Sequence, residues 1–150
     1  MGRELRTEIE IAAPAGCVWQ ILTDFDAYPE WNPFIKSVRG RPERSSKLEV
    51  RIEPPGGRAM TFKPTVLEAE PERELRWLGR VLLPGIFDGE HSLRIEPADG
   101  HVRFVQSERF NGLLVPLFGM TLEQTRQGFV QMNEALKRRA EAGDAGSAAG

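Results

Sequence analysis

The residues best suited to acid–base chemistry lie in the two strands of one predicted hairpin. Residues 89–97 and 101–110 alternate apolar and polar side chains, which is typical of β-strands. The Asp-Gly pair at 99–100 between them is a strong signal for a two-residue turn. That turn places His91 directly opposite Glu108 on one face, because a slip by one residue would set apolar side chains against polar ones.

An imidazole and a carboxylate that face each other can exchange a proton, and Gln106 lies one residue pair away. The sequence leaves three interpretations open: an acid–base pair, a structural hydrogen-bonded pair, or two groups that orient the polar end of a ligand. Ser92 points to the opposite face from His91 and is excluded as its partner. With two histidines and one cysteine, the chain has no metal-ligand spacing, and it has no phosphate-binding glycine pattern. We therefore predict no metal and no cofactor.

The elements that must position this pair are antiparallel strands and one long helix. A strand over 5–11 precedes a short helix over about 14–24, and strands joined by hairpins follow from 35 to 110. Apolar residues then recur at intervals of three and four over 117–141, which predicts an amphipathic helix. The predicted fold is α+β, with a curved sheet of six to seven antiparallel strands around the C-terminal helix. One helix cannot fill such a sheet, so we expect an apolar cavity between the two.

The stretch DFDAYPEWNPF (24–34) carries four aromatic side chains at three-residue intervals and two prolines that disfavour a long helix. We interpret it as short helical turns that cover the mouth of the cavity. Tyr28 and Trp31 have polar atoms and suit a mouth that is apolar inside and wet outside. The predicted ligand-binding residues come from this stretch, the concave sheet face and the long helix: Tyr28, Trp31, Phe34, Phe62, Trp77, His91, Leu93, Phe104, Gln106, Phe118, Leu122, Phe129 and Met132.

Length and composition indicate one globular domain over 1–141, followed by a small, polar tail over 142–150 that is predicted to be disordered. The formal net charge of −2 does not indicate a nucleic-acid-binding surface, and no apolar stretch is long enough to span a membrane. The single cysteine and the lack of a signal sequence predict a cytoplasmic protein, as a monomer or weak homodimer. A partner site on the charged outer face of the last hairpin is the least favoured hypothesis.

Three stretches carry a family resemblance: IAAPAGCVWQILTDFDAYPEWNPFI (11–35), GEHSLRIEP (89–97) and FVQSERFNGLLVPLFG (104–119). They resemble the bacterial SRPBCC, or polyketide cyclase/dehydratase-like, branch of the START-like superfamily, which includes the birch-pollen allergens and has the helix-grip fold. The resemblance implies a seven-stranded sheet that grips a C-terminal helix, two small helices at one end, and a largely apolar cavity.

Members of this superfamily bind or carry lipids, sterols, quinones, hormones or polyketides, and some cyclise or dehydrate polyketides. The expected function is therefore binding or carrying of a small hydrophobic ligand, such as a lipid, a quinone or a polyketide-like molecule. The alternative is a cyclase/dehydratase-type lyase or isomerase that uses His91 and Glu108 as acid and base, without a metal or nucleotide cofactor.

Overall fold

The chain alternates short helices, two sheets and one long helix in the order that the helix-grip fold requires. The computed structural model describes residues 3–81, 87–111 and 122–149. Its elements are β1 (Arg3–Ile11), α1 (Ala15–Thr23), a 3₁₀ turn (Phe25–Ala27), α2 (Tyr28–Trp31), β2 (Ile35–Arg39), β3 (Glu49–Ile52), β4 (Met60–Phe62), β5 (Thr65–Glu70), β6 (Glu74–Val81), β7 (Phe87–Ala98), β8 (His101–Asn111) and α3 (Leu122–Ala149). The predicted α+β class, the two short helices after β1 and the long final helix are confirmed.

The strands form two antiparallel sheets that are linked along one edge. One sheet has five strands in the order β1-β8-β7-β6-β5, and the other has three in the order β2-β3-β4. Leu48 donates a backbone hydrogen bond to the carbonyl of Pro64 at 2.9 Å, and Val66 donates to the carbonyl of Ser46 at 2.8 Å. The segment before β3 therefore joins the small sheet to the edge strand β5 of the large sheet.

The described part of the chain contains eight strands, whereas the sequence pattern predicted six to seven. The difference lies between Met60 and Val66, which the alternation indicated as one strand. Here β4 ends at Phe62 and β5 begins at Thr65. Pro64 lies between them and has no N–H to donate to a ladder, so the chain leaves one sheet and enters the other at this point.

The register of the β7–β8 hairpin is confirmed over its whole length. His91 faces Glu108 and Leu93 faces Gln106 across the two strands. On the other side of β8, the strand β1 places Thr7 beside Gln106. The centre of the five-stranded sheet therefore carries polar side chains from three adjacent strands on its inner face.

Helix α3 packs chiefly against β1 and α1. Its buried stripe consists of Phe129, Met132, Leu136 and Ala140, as the three- and four-residue spacing predicts. The helix continues to Ala149, whereas the pattern placed its end near residue 141, and its predicted first turns lie outside the described residues. The division into a domain over 1–141 and a disordered tail stays a prediction. None of the described helices is both long and apolar enough to cross a membrane.

Candidate functional site

The candidate site is a row of side chains that crosses the inner face of the large sheet. Antiparallel register sets Trp77 of β6 beside His91 of β7, and His91 beside Glu108 of β8. In the next row, Gln106 of β8 lies beside Thr7 of β1. Side chains of facing residues point to the same side of a sheet, so these five residues share one face.

His91 is the centre of this site, and both of its ring nitrogens have partners. Nδ1 lies 2.8 Å from Oε1 of Glu108, and Nε2 lies 2.9 Å from Oε1 of Gln106. The imidazole stacks on the Trp77 ring at a centroid distance of 5.3 Å and meets the edge of the Phe129 ring at 5.1 Å. The His91 side chain is 5% exposed and the Glu108 side chain is 18% exposed. His91 is therefore fixed in position, while Glu108 can still be reached from solvent.

A chain of hydrogen bonds ties this histidine to the long helix and the first strand. The amide nitrogen of Gln106 donates to Oδ1 of Asn133 at 2.8 Å. The amide nitrogen of Asn133 donates to Oγ1 of Thr7 at 2.9 Å, and the Thr7 hydroxyl donates to the backbone carbonyl of Gln106 at 3.2 Å. All three residues are buried, so the network satisfies polar groups that water cannot reach.

The donor and the acceptor of each hydrogen bond in this network can be assigned in turn, starting from the Thr7 hydroxyl. Thr7 gives its single hydroxyl proton to a backbone carbonyl, which can only accept, so Thr7 must accept from the amide of Asn133. The side-chain oxygen of Asn133 then faces the amide nitrogen of Gln106. The oxygen of Gln106 in turn faces Nε2 of His91, and Nε2 must therefore carry hydrogen.

The other ring nitrogen, Nδ1, shares one proton with Glu108. Either an imidazolium donates to the carboxylate, or a carboxylic acid donates to the neutral imidazole. The two states differ only in the place of that proton, and the rest of the network is unchanged. This arrangement can exchange a proton with a bound molecule, and it can also hold a polar group of a ligand.

Residues 3–141 match the sequence model of the family described as polyketide cyclase / dehydrase and lipid transport. The chain belongs to this family. The match confirms the resemblance carried by residues 11–35, 89–97 and 104–119, and it includes every residue of the candidate site. No curated protein matches the sequence.

Solved structures share the fold of this family member at low identity. TTHA0849 from Thermus thermophilus is 17% identical, with a TM-score of 0.73 and coverage of 94% of this chain and 99% of that one. A START superfamily protein from Mycobacterium smegmatis is 20% identical, with a TM-score of 0.64 and coverage of 96% and 98%. The di-domain ARO/CYC StfQ from the steffimycin biosynthetic pathway is 13% identical, with a TM-score of 0.69. This chain is covered completely but spans only 53% of StfQ. These likenesses show the fold alone.

The family fold brings most of the predicted ligand-binding residues to one region. Phe62 is half-buried and packs against the core. Leu122 is also half-buried, and Phe118 lies outside the described residues. The following predicted residues are buried: Tyr28, Phe34, Trp77, His91, Leu93, Phe104, Gln106, Phe129 and Met132. Their contact with a ligand stays a prediction.

The aromatic stretch divides into two clusters. Tyr28 contacts Phe25 edge-on at 5.7 Å and Trp31 at 5.2 Å. Phe34 instead packs on α3, where its ring meets the edge of Phe129 at 5.6 Å. Phe34 is thereby connected, through Phe129, to the aromatic surroundings of the candidate site.

Tyr28 does not present its hydroxyl to solvent, as a wet cavity mouth would require. Its side chain is fully buried, and its hydroxyl donates to the carbonyl of Leu22 at 2.7 Å. Burial raises the pKa of Tyr28 above the ordinary value of a tyrosine. The carbonyl near the end of α1 needed a donor, and this tertiary demand outweighed the preference of the phenol for water.

Trp31 is half-buried and lies beside an open groove of about 400 Å³ between the end of α1 and α3. Arg139 of α3 and Asp24 line the groove with it, so the groove has polar walls. The indole Nε1 of Trp31 is buried without a hydrogen-bond partner in the described part of the chain. Trp31 therefore borders a different space from the His91 site.

Sequence reasoning missed two members of the network, Thr7 and Asn133. A signal existed for each, because Thr7 occupies an inward position of β1 between Leu5 and Ile9, and Asn133 interrupts the apolar stripe of α3. A polar residue in an otherwise apolar stripe indicates a buried partner. Nothing in the sequence named that partner. Among the residues with described side chains, no group of three or more His, Cys, Asp or Glu is placed to hold a metal ion.

Proposed function

We propose that this protein binds or carries a small hydrophobic ligand between the inner sheet face and α3, with the ligand's polar end at the His91–Glu108 pair. The observation that carries the proposal is a small polar cluster, formed by His91, Glu108, Gln106 and Thr7, in an otherwise apolar inner face. Leu75, Leu93, Ile95 and Phe104 are buried on that face around these residues. Burying ligand surface there would supply affinity at about 25 cal/mol per Å². The few polar groups would supply orientation.

Glu108 is the group most suited to meet the ligand. Its Oε1 is engaged by His91, and the carboxylate keeps capacity for further hydrogen bonds at its other oxygen. The 18% exposure of its side chain leaves a route for a ligand hydroxyl to reach it. A lipid, a quinone or a polyketide-like molecule would satisfy the apolar part of the site.

Native mass spectrometry of the purified protein, followed by titration with decanoic acid, menadione and emodin, tests this proposal. Those probes represent a lipid, a quinone and a hydroxylated polyketide-like molecule. We expect Glu108→Gln to weaken the binding of emodin by about tenfold or more, because the amide cannot take the carboxylate form of this pair, in which a hydrogen bond from the ligand is charge-assisted. Glu96→Gln is the matched control, since Glu96 lies on the outer face of the same hairpin and pairs with Arg94. Absence of a co-purifying molecule together with failure of all probes to bind would refute the proposal.

An enzyme of the cyclase/dehydratase type is the second candidate, and the proton shared by His91 and Glu108 favours it. Such a lyase or isomerase would need no metal or nucleotide cofactor. With a linear polyketone as substrate, His91→Ala and Glu108→Gln should abolish turnover while binding survives. Equal loss of turnover and binding, or no effect on either, would remove this candidate. A cytoplasmic location and a monomeric or weakly dimeric state stay predictions.

A further inference from the structure

Trp77 carries a buried hydrogen-bond donor that the described part of the chain does not satisfy. The residue is 1% exposed, and its indole Nε1 has no hydrogen-bond partner among the described residues. Leaving such a donor unpaired in the core is costly, so a buried unpaired group in a folded protein calls for an explanation. The neighbouring side chains of His91, Gln106 and Asn133 are all paired, which makes the unpaired indole a local exception.

The position of Trp77 connects this donor to the candidate site. Its ring stacks on His91, with an angle of 24° between the two planes, and Glu108 lies on the other side of His91, on the next strand. A ligand seated against this row would therefore meet Trp77 at one end and Glu108 at the other.

The row next to Trp77 on the inner face lacks side chains from two strands. There Gly79 of β6 faces Gly89 of β7, so two adjacent strands contribute bare backbone in place of side chains. The ring of Phe62 covers the first of these glycines, because a Cβ at Gly79 would lie 3.1 Å from Phe62 Cδ2. The half-buried Phe62 ring therefore occupies the place that side chains at these positions would fill, and a flat apolar molecule can lie there only when that ring moves aside.

We infer that the ligand carries a carbonyl oxygen and that Trp77 Nε1 donates a hydrogen bond to it. This inference rests on the proposed function and narrows it to carbonyl-bearing hydrophobic molecules, such as aryl ketones or quinones. Trp77 then determines specificity, since a site with a buried donor rejects an analogue that lacks the acceptor.

The test compares 9-fluorenone with fluorene, which share one flat carbon skeleton and differ by a carbonyl oxygen. Dissociation constants come from equilibrium dialysis with the full chain. We expect the wild-type protein to bind fluorenone about 5- to 100-fold more tightly than fluorene, because the carbonyl satisfies the donor. Trp77→Phe keeps an aromatic ring without the N–H and should reduce this preference to less than about twofold. Trp19→Phe, in α1, is the control and should keep the preference.

A second measurement does not depend on the affinity of any variant. The chain has three tryptophans, so ¹⁵N-labelled indole gives three N–H resonances. One of them, assigned to Trp77 by its loss in Trp77→Phe, should shift downfield with fluorenone and not with fluorene. Equal affinities of the wild-type protein for both probes would overturn this inference and leave the proposed function standing. If Trp77→Phe keeps the wild-type preference for fluorenone over fluorene, Trp77 is not the donor to the carbonyl. Failure of both probes to bind would overturn the inference, while the titrations with decanoic acid, menadione and emodin decide the proposed function separately.

Discussion

Replacement of Gly128 by alanine tests how closely Phe34 packs on the long helix. Gly128 is buried in α3, and a Cβ at this position would clash with Phe34 Cδ1 and lie 2.7 Å from Cε1 and 3.0 Å from Cγ. Ordinary contacts between such carbons are near 3.5–4.0 Å. The Phe34 ring cannot move away freely, because it is 2% exposed and packs against Phe129.

Two opposing effects decide the outcome of Gly128→Ala. Alanine is favoured over glycine in a helix interior by about 1 kcal/mol. Overpacking of a core typically costs about 1–3 kcal/mol. We expect a net loss of up to about 2 kcal/mol in the free energy of unfolding. Gly143→Ala, in the same helix, is the matched control, since a Cβ there meets nothing within 4 Å. It should stabilise the protein by up to about 1 kcal/mol.

Urea unfolding followed by circular dichroism measures both variants, and the difference between them isolates the clash at about 1–3 kcal/mol. A double-mutant cycle with Phe34→Leu identifies the partner. The smaller side chain should relieve most of the cost of Gly128→Ala, and the coupling energy should lie between about 0.5 and 3 kcal/mol. If Gly128→Ala is as stabilising as Gly143→Ala, the close contact between Phe34 and α3 is not formed.

Two further predictions concern buried polar groups. Gln106→Met should lower the free energy of unfolding by about 2–6 kcal/mol in urea titrations, because it leaves His91 Nε2 and Asn133 Oδ1 unpaired in the core; a loss below about 1 kcal/mol would contradict the network. Because burial raises the pKa of Tyr28, the stability that its neutral phenol contributes is complete below about pH 10 and is lost at higher pH, where the unfolded chain ionises. Tyr28 is the only tyrosine, so phenolate absorbance should appear only as the protein unfolds, and phenolate in a protein that keeps its near-ultraviolet circular dichroism would disprove this.

The hairpin and the helix could be predicted because their signals are local. The turn at 99–100 and the two-residue period of the flanking strands allow only one register, so the pairing of His91 with Glu108 follows from neighbours in sequence. The stripe of α3 from Phe129 to Leu136 likewise follows from the 3.6-residue period of a helix. In both cases the residues that form the pattern lie within about twenty positions of one another in the chain.

The rest of the candidate site could not be predicted, because its contacts join residues far apart in the chain. Asn133 meets Thr7 across 126 positions, and no local pattern specifies which buried polar groups will pair over that distance. The close approach of Phe34 to Gly128 likewise joins residues far apart in the chain, because it depends on how α3 docks on the segment before β2.

The sequence by itself determined the class of fold, the facing of His91 and Glu108, and the family, since each depends on short-range periodicity or on motifs read along the chain. Only the tertiary structure decided which protons the network places on His91, and that the Trp77 indole is left without an acceptor in the described part of the chain. The physical reason is that a buried donor must find its acceptor in three dimensions, and packing, not sequence spacing, determines which groups are within reach.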